Sequence, residues 1–203
     1  MRRAFLPVGD QALVQIVDAA LDDAARRSGS WLVCRPGCTQ CCVGVFSISL
    51  LDAARLQQGL EEMQRKDPER ATAIRRRARA AVDRLSASFP GNAQTGILAQ
   101  DEMAQAAFED FANDEPCPVL DPETGTCDLY QHRPITCRAF GPPVRSEDGL
   151  GVCELCFHGA TNEEIAACEM EVDPDDLEGK LLTEMRDGEN SSGRTIVAFA
   201  VTD

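Results

Sequence analysis

The chain has 203 residues, ten of them cysteine, and a formal net charge of −14. This length suits one domain with a hydrophobic core, and the acidic charge argues against nucleic acid or an anionic membrane surface as a partner. No apolar run reaches the ~20 residues of a membrane span, and the apolar stretch Ala4–Val8 contains a proline, unlike a secretory signal. We therefore expect a cytoplasmic protein with a single domain over residues 1–203.

The first half of the sequence predicts three helices. Apolar residues recur at helical spacing over Gln11–Arg27. A second helix follows Ser49, which is a suitable N-cap, and a third restarts at Asp67–Pro68 with the proline at its first position. Pro90–Gly91 is expected to end the third helix. The second and third helices are predicted to form an antiparallel hairpin.

The second half is predicted to mix loops with short helices. Asp101–Asn113 is a short helix, and the proline-punctuated segment Glu115–Val144 is mostly loop. A capping box over Thr161–Glu164 begins another helix, and Asp173–Pro174 begins the next. The tail Arg194–Val201 is interpreted as either a strand or the end of a helix.

These elements predict a mainly α fold, in which a helical domain wraps around a cysteine metal site built from loops. The core of the site spans residues 31–143, and a C-terminal helical extension spans residues 160–203. Trp31–Val33 form a short apolar segment that we expect to pack beside the cysteines and exclude water. Disorder is expected only at the chain ends and near Asp187–Gly193.

The cysteines are the strongest functional signal. They occur as Cys34-x3-Cys38-x2-Cys41-Cys42, Cys117-x9-Cys127-x9-Cys137, Cys153-x2-Cys156 and Cys168. Short spacings of this kind let one turn of backbone direct several thiolates at one metal, and Pro36 and Gly37 favour a tight turn. In a reducing compartment such clusters indicate metal or redox chemistry rather than disulfides.

The spacing leaves the identity and number of metal ions open. Adjacent Cys41 and Cys42 favour two ions, a polynuclear cluster, or one ligand with a second thiol behind it. A [4Fe–4S] cluster takes four thiolates, and two zinc ions take eight ligands unless thiolates bridge. The main set of seven cysteines lies between these numbers, and Cys153, Cys156 or His132 could complete a second site. Cys168, in contrast, lies on the apolar side of a predicted helix and is interpreted as a buried hydrophobic residue.

The segment Cys34-x3-Cys38-x2-Cys41 also has the spacing that radical S-adenosylmethionine enzymes use to bind a cluster. Those enzymes usually carry an aromatic residue just before the last cysteine, where this chain has Gln40. The alternating strand–helix pattern of their partial barrel is also missing. We therefore do not assign that activity, although the match shows that this spacing can hold three irons of a cubane.

Both cysteine blocks together closely resemble the YkgJ-type cysteine-cluster family, which is described as zinc- or iron-chelating and named for a CxxCxxCC pattern. The resemblance covers "CRPGCTQCC" and "CPVLDPETGTCDLYQHRPITCRAFGPP". It implies a metal site with these ligands: Cys34, Cys38, Cys41, Cys42, Cys117, Cys127 and Cys137. The gap between Cys34 and Cys38 is one residue longer than in the family name, and Cys153 and Cys156, as possible additional ligands, lie outside the core motif.

Other motif residues have expected supporting roles. Arg133 and Arg138 can offset the negative charge of several thiolates or donate hydrogen bonds to sulfur, and Tyr130 can donate its hydroxyl to the same network. A similar module occurs in flagellin lysine methylases, in which an iron–sulfur cluster is implicated. The resemblance therefore suggests protein modification as a context without identifying a reaction.

Three functions remain open at this stage. The first is a cytoplasmic protein that holds an iron–sulfur or iron/zinc centre, in electron transfer or as part of a protein-modifying system. The second is a structural zinc module that docks a protein partner, and the third is an enzyme with a reactive thiolate. The basic run Arg75–Arg79 is either a solvated helix face or a docking patch for an acidic partner.

Overall fold

The computed structural model describes residues 6–146, 149–185 and 193–202. In these ranges the helices are α1 (Asp10–Ser28), α2 (Leu50–Lys66), α3 (Pro68–Leu85), α4 (Glu102–Glu109), α5 (Ile135–Ala139), α6 (Asn162–Ala167), α7 (Leu177–Glu184) and α8 (Val197–Ala200). The strands are β1 (Ile48–Ser49), β2 (Gly91–Asn92), β3 (Ile97–Leu98), β4 (Val144–Ser146), β5 (Gly149–Gly151) and β6 (Arg194–Thr195). The mainly α class is therefore confirmed. Most of the segment near Asp187–Gly193, where disorder was predicted, lies outside the described residues.

Helices α2 and α3 pack against each other, as the predicted hairpin requires. The hydroxyl of Ser49 accepts a hydrogen bond from the backbone N–H of Asp52 at 3.1 Å and caps α2. The carboxylate of Asp67 accepts one from Arg70 at 3.0 Å and caps α3, whose first residue is Pro68. Leu56 and the neighbouring apolar residues of both helices are buried in one core. Helix α3 ends at Leu85, earlier than the predicted stop at Pro90–Gly91.

A buried ion network joins α1 to α2. The Nη2 of Arg55 donates to the carboxylate of Asp10 at 2.6 Å, and its Nη1 donates to the carboxylate of Asp52. All three side chains are almost fully buried. Buried charges are tolerated here because each one is paired with an opposite charge. Removing one partner would leave an uncompensated buried charge and destabilise the fold.

The C-terminal tail contains both of the elements that were considered for it. Strand β6 pairs antiparallel with β1, with Ile48 opposite Thr195. Helix α8 follows directly and buries Val197, Ala200 and Val201 in the core of α2 and α3. The strand and the helix are both too short to show as a periodic pattern.

Two further predicted helix bounds are wrong. Helix α7 begins at Leu177 and not at Asp173–Pro174, because Asp176 adopts a left-handed conformation with φ of 50°. The carboxylate of Asp173 still acts as the cap from a distance, accepting hydrogen bonds from the backbone N–H groups of Leu177 and Glu178 at 2.9 and 2.8 Å. Helix α4 ends at Glu109, before the expected Asn113. In the part of the chain that the structure describes, every helix is too short or too polar to cross a membrane.

Candidate metal centre

Both cysteine blocks line one cavity of about 530 Å³. Its wall includes Cys34, Cys38, Cys41, Cys42, Cys117, Cys127 and Cys137. The segments that hold these residues are mostly loops, short turns and the five-residue helix α5. The structure therefore brings together all seven cysteines that the sequence grouped as ligands.

The two blocks meet through their backbones. The N–H of Cys117 donates to the carbonyl of Cys42 at 2.8 Å, and Val43 forms an isolated β-bridge with Pro116. A second bridge pairs Leu120 with Cys127, which folds the chain back on itself so that Cys117 and Cys127 face the same region. Backbone hydrogen bonds thus align three cysteines that are widely separated in sequence.

Arginines of α3 hold the Cys127 turn in place. The carboxylate of Asp128 accepts hydrogen bonds from Arg70 Nε at 2.5 Å and Arg77 Nη2 at 2.7 Å, and only 1% of its side chain is exposed. Arg77 Nε also donates to the carbonyl of Pro118 at 2.8 Å. Sequence reasoning missed this anchor, although Arg70 and Arg77 lie seven positions apart on one helix face and Asp128 directly follows a ligand candidate.

Cys137 is positioned by the start of α5. The backbone N–H of Ile135, in the first turn of this helix, donates to the carboxylate of Asp52 at 2.9 Å. Asp52 is in turn part of the buried network with Arg55. A side chain of α2 therefore orients the helix that holds Cys137, and no local motif around Cys137 predicts this contact.

Five of the cysteines form an inner group: Cys41, Cys42, Cys117, Cys127 and Cys137. Burial, with further contributions from neighbouring thiols, raises the pKa of Cys117 to about 12 and the pKa of Cys137 well above its ordinary value. Burial also raises the pKa of Cys127. The side chains of the inner group are nevertheless only half-buried. The surface that they still expose faces the cavity.

Cys41 and Cys42 form an asymmetric pair within the inner group. The thiol of Cys42 donates a hydrogen bond to Cys41 and lowers the pKa of Cys41 to about 6, with help from Arg133 and against the effect of burial. The same hydrogen bond raises the pKa of Cys42. Cys41 is therefore the member of this pair that becomes a thiolate, which is the form that binds metal.

The remaining neighbours form an outer group: Cys34, Cys38, Cys153 and Cys156. Burial, followed by the effect of Cys156, raises the pKa of Cys34 to about 12. Burial also raises the pKa of Cys153, and the neighbouring Cys156 adds to this rise. Cys34 and Cys38 line the cavity, whereas Cys153 and Cys156 are buried in a small cluster with Phe157 and Cys168.

The cysteine thiols lie near one another, but they are not arranged around a common point as metal ligands would be. Among the residues that the structure describes, no three cysteine, histidine or acidic side chains have the geometry of a metal site. Binding would therefore require the thiols to move towards a shared ion, which is possible because most of them sit on loops and turns.

The cationic residues of the motif differ in their contacts. Arg138 is tied to α1, because its Nη1 donates to both carboxylate oxygens of Asp18 at 2.6 and 2.8 Å. Arg133 lies over the ring of Tyr130, with 3.9 Å between the guanidinium carbon and the ring centroid. In the described part of the chain, Arg133 Nε is a buried nitrogen without a hydrogen-bond partner. Tyr130 is 56% exposed, and the predicted role of its hydroxyl stays a prediction.

Neither of the two histidines lines the cavity. His132 packs over Gly59 of α2, and its Nε2 is 3.5 Å from a carboxylate oxygen of Glu62. His158 is exposed at the surface. Cys168 is buried with 4% of its surface exposed, in keeping with its interpretation as an apolar core residue.

Comparison with known proteins gives one family match. A model of the CxxCxxCC family, described as a "putative zinc- or iron-chelating domain", matches residues 33–157. This span covers more than half of the chain and includes both cysteine blocks together with Cys153 and Cys156. No curated protein and no solved structure matches the chain.

Proposed function

Because the chain belongs to the CxxCxxCC family, we propose that it holds an iron–sulfur or iron/zinc centre in the cavity through its clustered cysteines. The proposal places the protein in the cytoplasm, as a redox protein or as part of a protein-modifying system. Zinc or iron chelation follows from the family, whereas the type of centre and its use are the proposal.

The inner group is the observation that supports this function best. Five thiols from three segments line the cavity. The cavity volume of about 530 Å³ lies within the range of about 300–1,000 Å³ for ligand pockets. A single zinc ion and a [4Fe–4S] cluster both take four protein ligands, but a zinc ion needs little space, so the volume favours a polynuclear centre.

Arg133 provides the test of fit. An unpaired buried N–H is costly, and a group at this position is expected to supply an acceptor. Several thiolates around a metal retain negative charge, and Arg133 already favours the thiolate form of Cys41 and of Cys127. A negatively charged metal–thiolate centre would satisfy the nitrogen and balance its charge.

An iron–sulfur cluster supplies one-electron transfer at a potential set by the hydrogen bonds, charge and solvent exposure around it. The chain contributes to each of these factors. Arg133 adds positive charge, the apolar wall of Leu56, Val119 and Val197 excludes water, and exposed Tyr130 and Phe140 border the cavity. The acidic surface suits a basic protein partner.

The second candidate is a structural zinc module that docks a protein partner. One observation favours it: Arg75, Arg76 and Arg79 line an exposed groove on α3 together with Thr72 and Asp83. Arg77, from the same basic run, points inward to Asp128 and is not available at the surface. Replacing Arg76 and Arg79 by Glu should abolish binding of an acidic peptide if this groove is a docking site, and unchanged binding would reject it.

The metal identity decides between the two candidates. The protein is purified without oxygen, and its iron, zinc and acid-labile sulfide are measured together with its absorption spectrum. Iron with sulfide, and broad visible absorption that bleaches on reduction, would support the iron–sulfur centre. A colourless protein with stoichiometric zinc and no sulfide would reject it in favour of the structural zinc module.

A further inference from the structure

Cys153 and Cys156 lie against the first two cysteines of the chain rather than against the inner group. Trp31 and Leu32, which lead directly into Cys34, pack against the buried cluster of Cys153 and Cys156. Cys156 is also near enough to raise the pKa of Cys34 and of Cys153. Cys38 is near enough to Cys34 and to Cys153 to influence the charge of each. Two pairs of cysteines from distant segments therefore lie side by side next to the cavity.

Both segments have the tight turns that supply ligand pairs. In the first, the N–H of Cys38 donates to the carbonyl of Arg35 at 2.9 Å, and Gly37 takes the positive φ of 89° that this turn requires. In the second, the N–H of Cys156 donates to the carbonyl of Cys153 at 2.9 Å. Pairs of cysteines with two to four residues between them, on turns like these, are typical of structural zinc sites.

Contacts that do not involve the thiols hold the two turns together. The N–H of Phe157, just after the second turn, donates to the carbonyl of Trp31, just before the first, at 3.0 Å. The side-chain amide of Gln40, just after the first turn, donates to the carboxylate of Glu154 within the second. Trp31 packs on the buried cluster that contains Cys153 and Cys156 and shields it from water. The approach of the two turns is thus fixed by the surrounding structure, and the four thiols need to close only on a shared ion.

We propose that Cys34, Cys38, Cys153 and Cys156 form a second metal site that binds one zinc ion, separate from the centre in the cavity. Four thiolates complete the tetrahedral shell of Zn²⁺ and leave no open position, which makes the site structural rather than catalytic. Binding replaces thiol protons by zinc and releases these protons to solvent, with no change of oxidation state.

This assignment changes the ligand set of the cavity centre. Cys34 and Cys38 bind in the second site, and the inner group alone binds the centre in the cavity. The zinc ion fastens the segment after β5 to the loop of Cys34, and this loop is part of the cavity wall. The second site therefore supports the cavity without taking part in its chemistry, and it does not depend on the identity of the metal in the cavity.

The test measures which cysteines become accessible to an alkylating reagent at the same chelator concentration. The metal-loaded protein is treated with increasing chelator, pulses of an alkylating reagent mark the freed cysteines, and mass spectrometry maps them while released metals are counted. We expect Cys34, Cys38, Cys153 and Cys156 to become reactive in one step that releases one zinc. If Cys34 and Cys38 instead become reactive together with Cys41 and Cys117, the proposed grouping is wrong.

Variants give an independent measurement. The double variant Cys153→Ser/Cys156→Ser should lose one zinc per chain and keep the metal of the cavity, and Cys117→Ser/Cys127→Ser should do the reverse. Cys168→Ala is the matched control, because Cys168 is buried in the same cluster and should not bind metal. Unchanged zinc in the first variant, loss of iron in place of zinc, or a disulfide between Cys34 and Cys156 would each overturn the site.

Discussion

The carboxylate of Asp52 accepts a hydrogen bond from the backbone N–H of Ile135 at 2.9 Å. This contact joins the first turn of α2 to the first turn of the helix that holds Cys137, over a long separation in sequence. The same carboxylate also pairs with Arg55. One buried acidic residue therefore couples the helical core to the candidate metal centre.

Replacing Asp52 should destabilise the fold and the centre together. Asp52→Ala leaves the N–H of Ile135 without its acceptor and leaves Arg55 with only Asp10. Breaking one arm of a buried ion network of this kind costs about 3 kcal/mol. Chemical denaturation of the metal-loaded protein measures the loss, and a change below about 1 kcal/mol, the value of an exposed pair, would show that the network is not structural. Asp52→Asn keeps an acceptor for Ile135, so its free energy of unfolding should lie between those of wild type and Asp52→Ala.

Asp128 offers a more specific test of the Cys127 loop. Asp128→Ala removes the acceptor of Arg70 and Arg77, so the loop should loosen and release its metal to a chelator at least several times faster. Asp23→Asn is the control, since it weakens exposed pairs with Arg26 and Arg27 on α1 and should leave the release rate unchanged. Equal rates in both variants would mean that Arg70 and Arg77 do not position the loop.

Alanine variants of two glycines separate the effect of backbone strain from the effect of a steric contact with the thiol of Cys34. Gly141 and Gly149 both have φ of +123°, but a Cβ on Gly141 would lie 3.0 Å from the Sγ of Cys34, whereas a Cβ on Gly149 would meet nothing within 4 Å. Both alanine variants should lose about 1–3 kcal/mol of stability from strain. Only Gly141→Ala should also weaken zinc retention at the second site, as measured by chelator competition. Equal zinc retention in the two variants would contradict the position of Cys34 in that site.

Glu178 predicts a pH dependence with a defined sign. Its carboxylate accepts a hydrogen bond from Ser49 at 2.7 Å, and burial, followed by the nearby Asp52, raises its pKa. A carboxyl of this kind stabilises the fold below the unfolded pKa of about 4.3, and this contribution is lost as the pH rises through the folded pKa. Glu178→Gln does not titrate and keeps the acceptor. The variant should therefore gain stability relative to wild type between pH 4 and pH 7 in parallel denaturation experiments, and a constant difference would show that the pKa is not raised.

The parts of the fold that the sequence predicted correctly are set by local signals. Ser49 and Asp67 act as helix caps through hydrogen bonds within three residues, and Pro68 begins a helix for steric reasons of its own. The turn at Pro36 and Gly37 is equally local. The start of α7 was wrong because Asp173 caps that helix from four residues away, across a turn that the sequence does not reveal.

The arrangement of the site depends on contacts between distant segments, and spacing does not encode them. The spacing grouped Cys34 and Cys38 with Cys41, yet the segment that leads into Cys34 packs against the cluster of Cys153 and Cys156. Arg77 was interpreted as part of a surface run, and only the approach of Asp128 shows that it points inward. The family resemblance identified the cysteines of the cavity, but it could not divide them between two groups.

The most direct test of the account is the metal content of two single variants. Cys117→Ser and Cys137→Ser are purified without oxygen beside wild type and Cys168→Ala, and metals are measured per folded chain. We expect both serine variants to lose the metal of the cavity while Cys168→Ala retains it. A folded Cys117→Ser or Cys137→Ser protein with the full metal content of wild type would contradict the claim that the two cysteine blocks hold one centre.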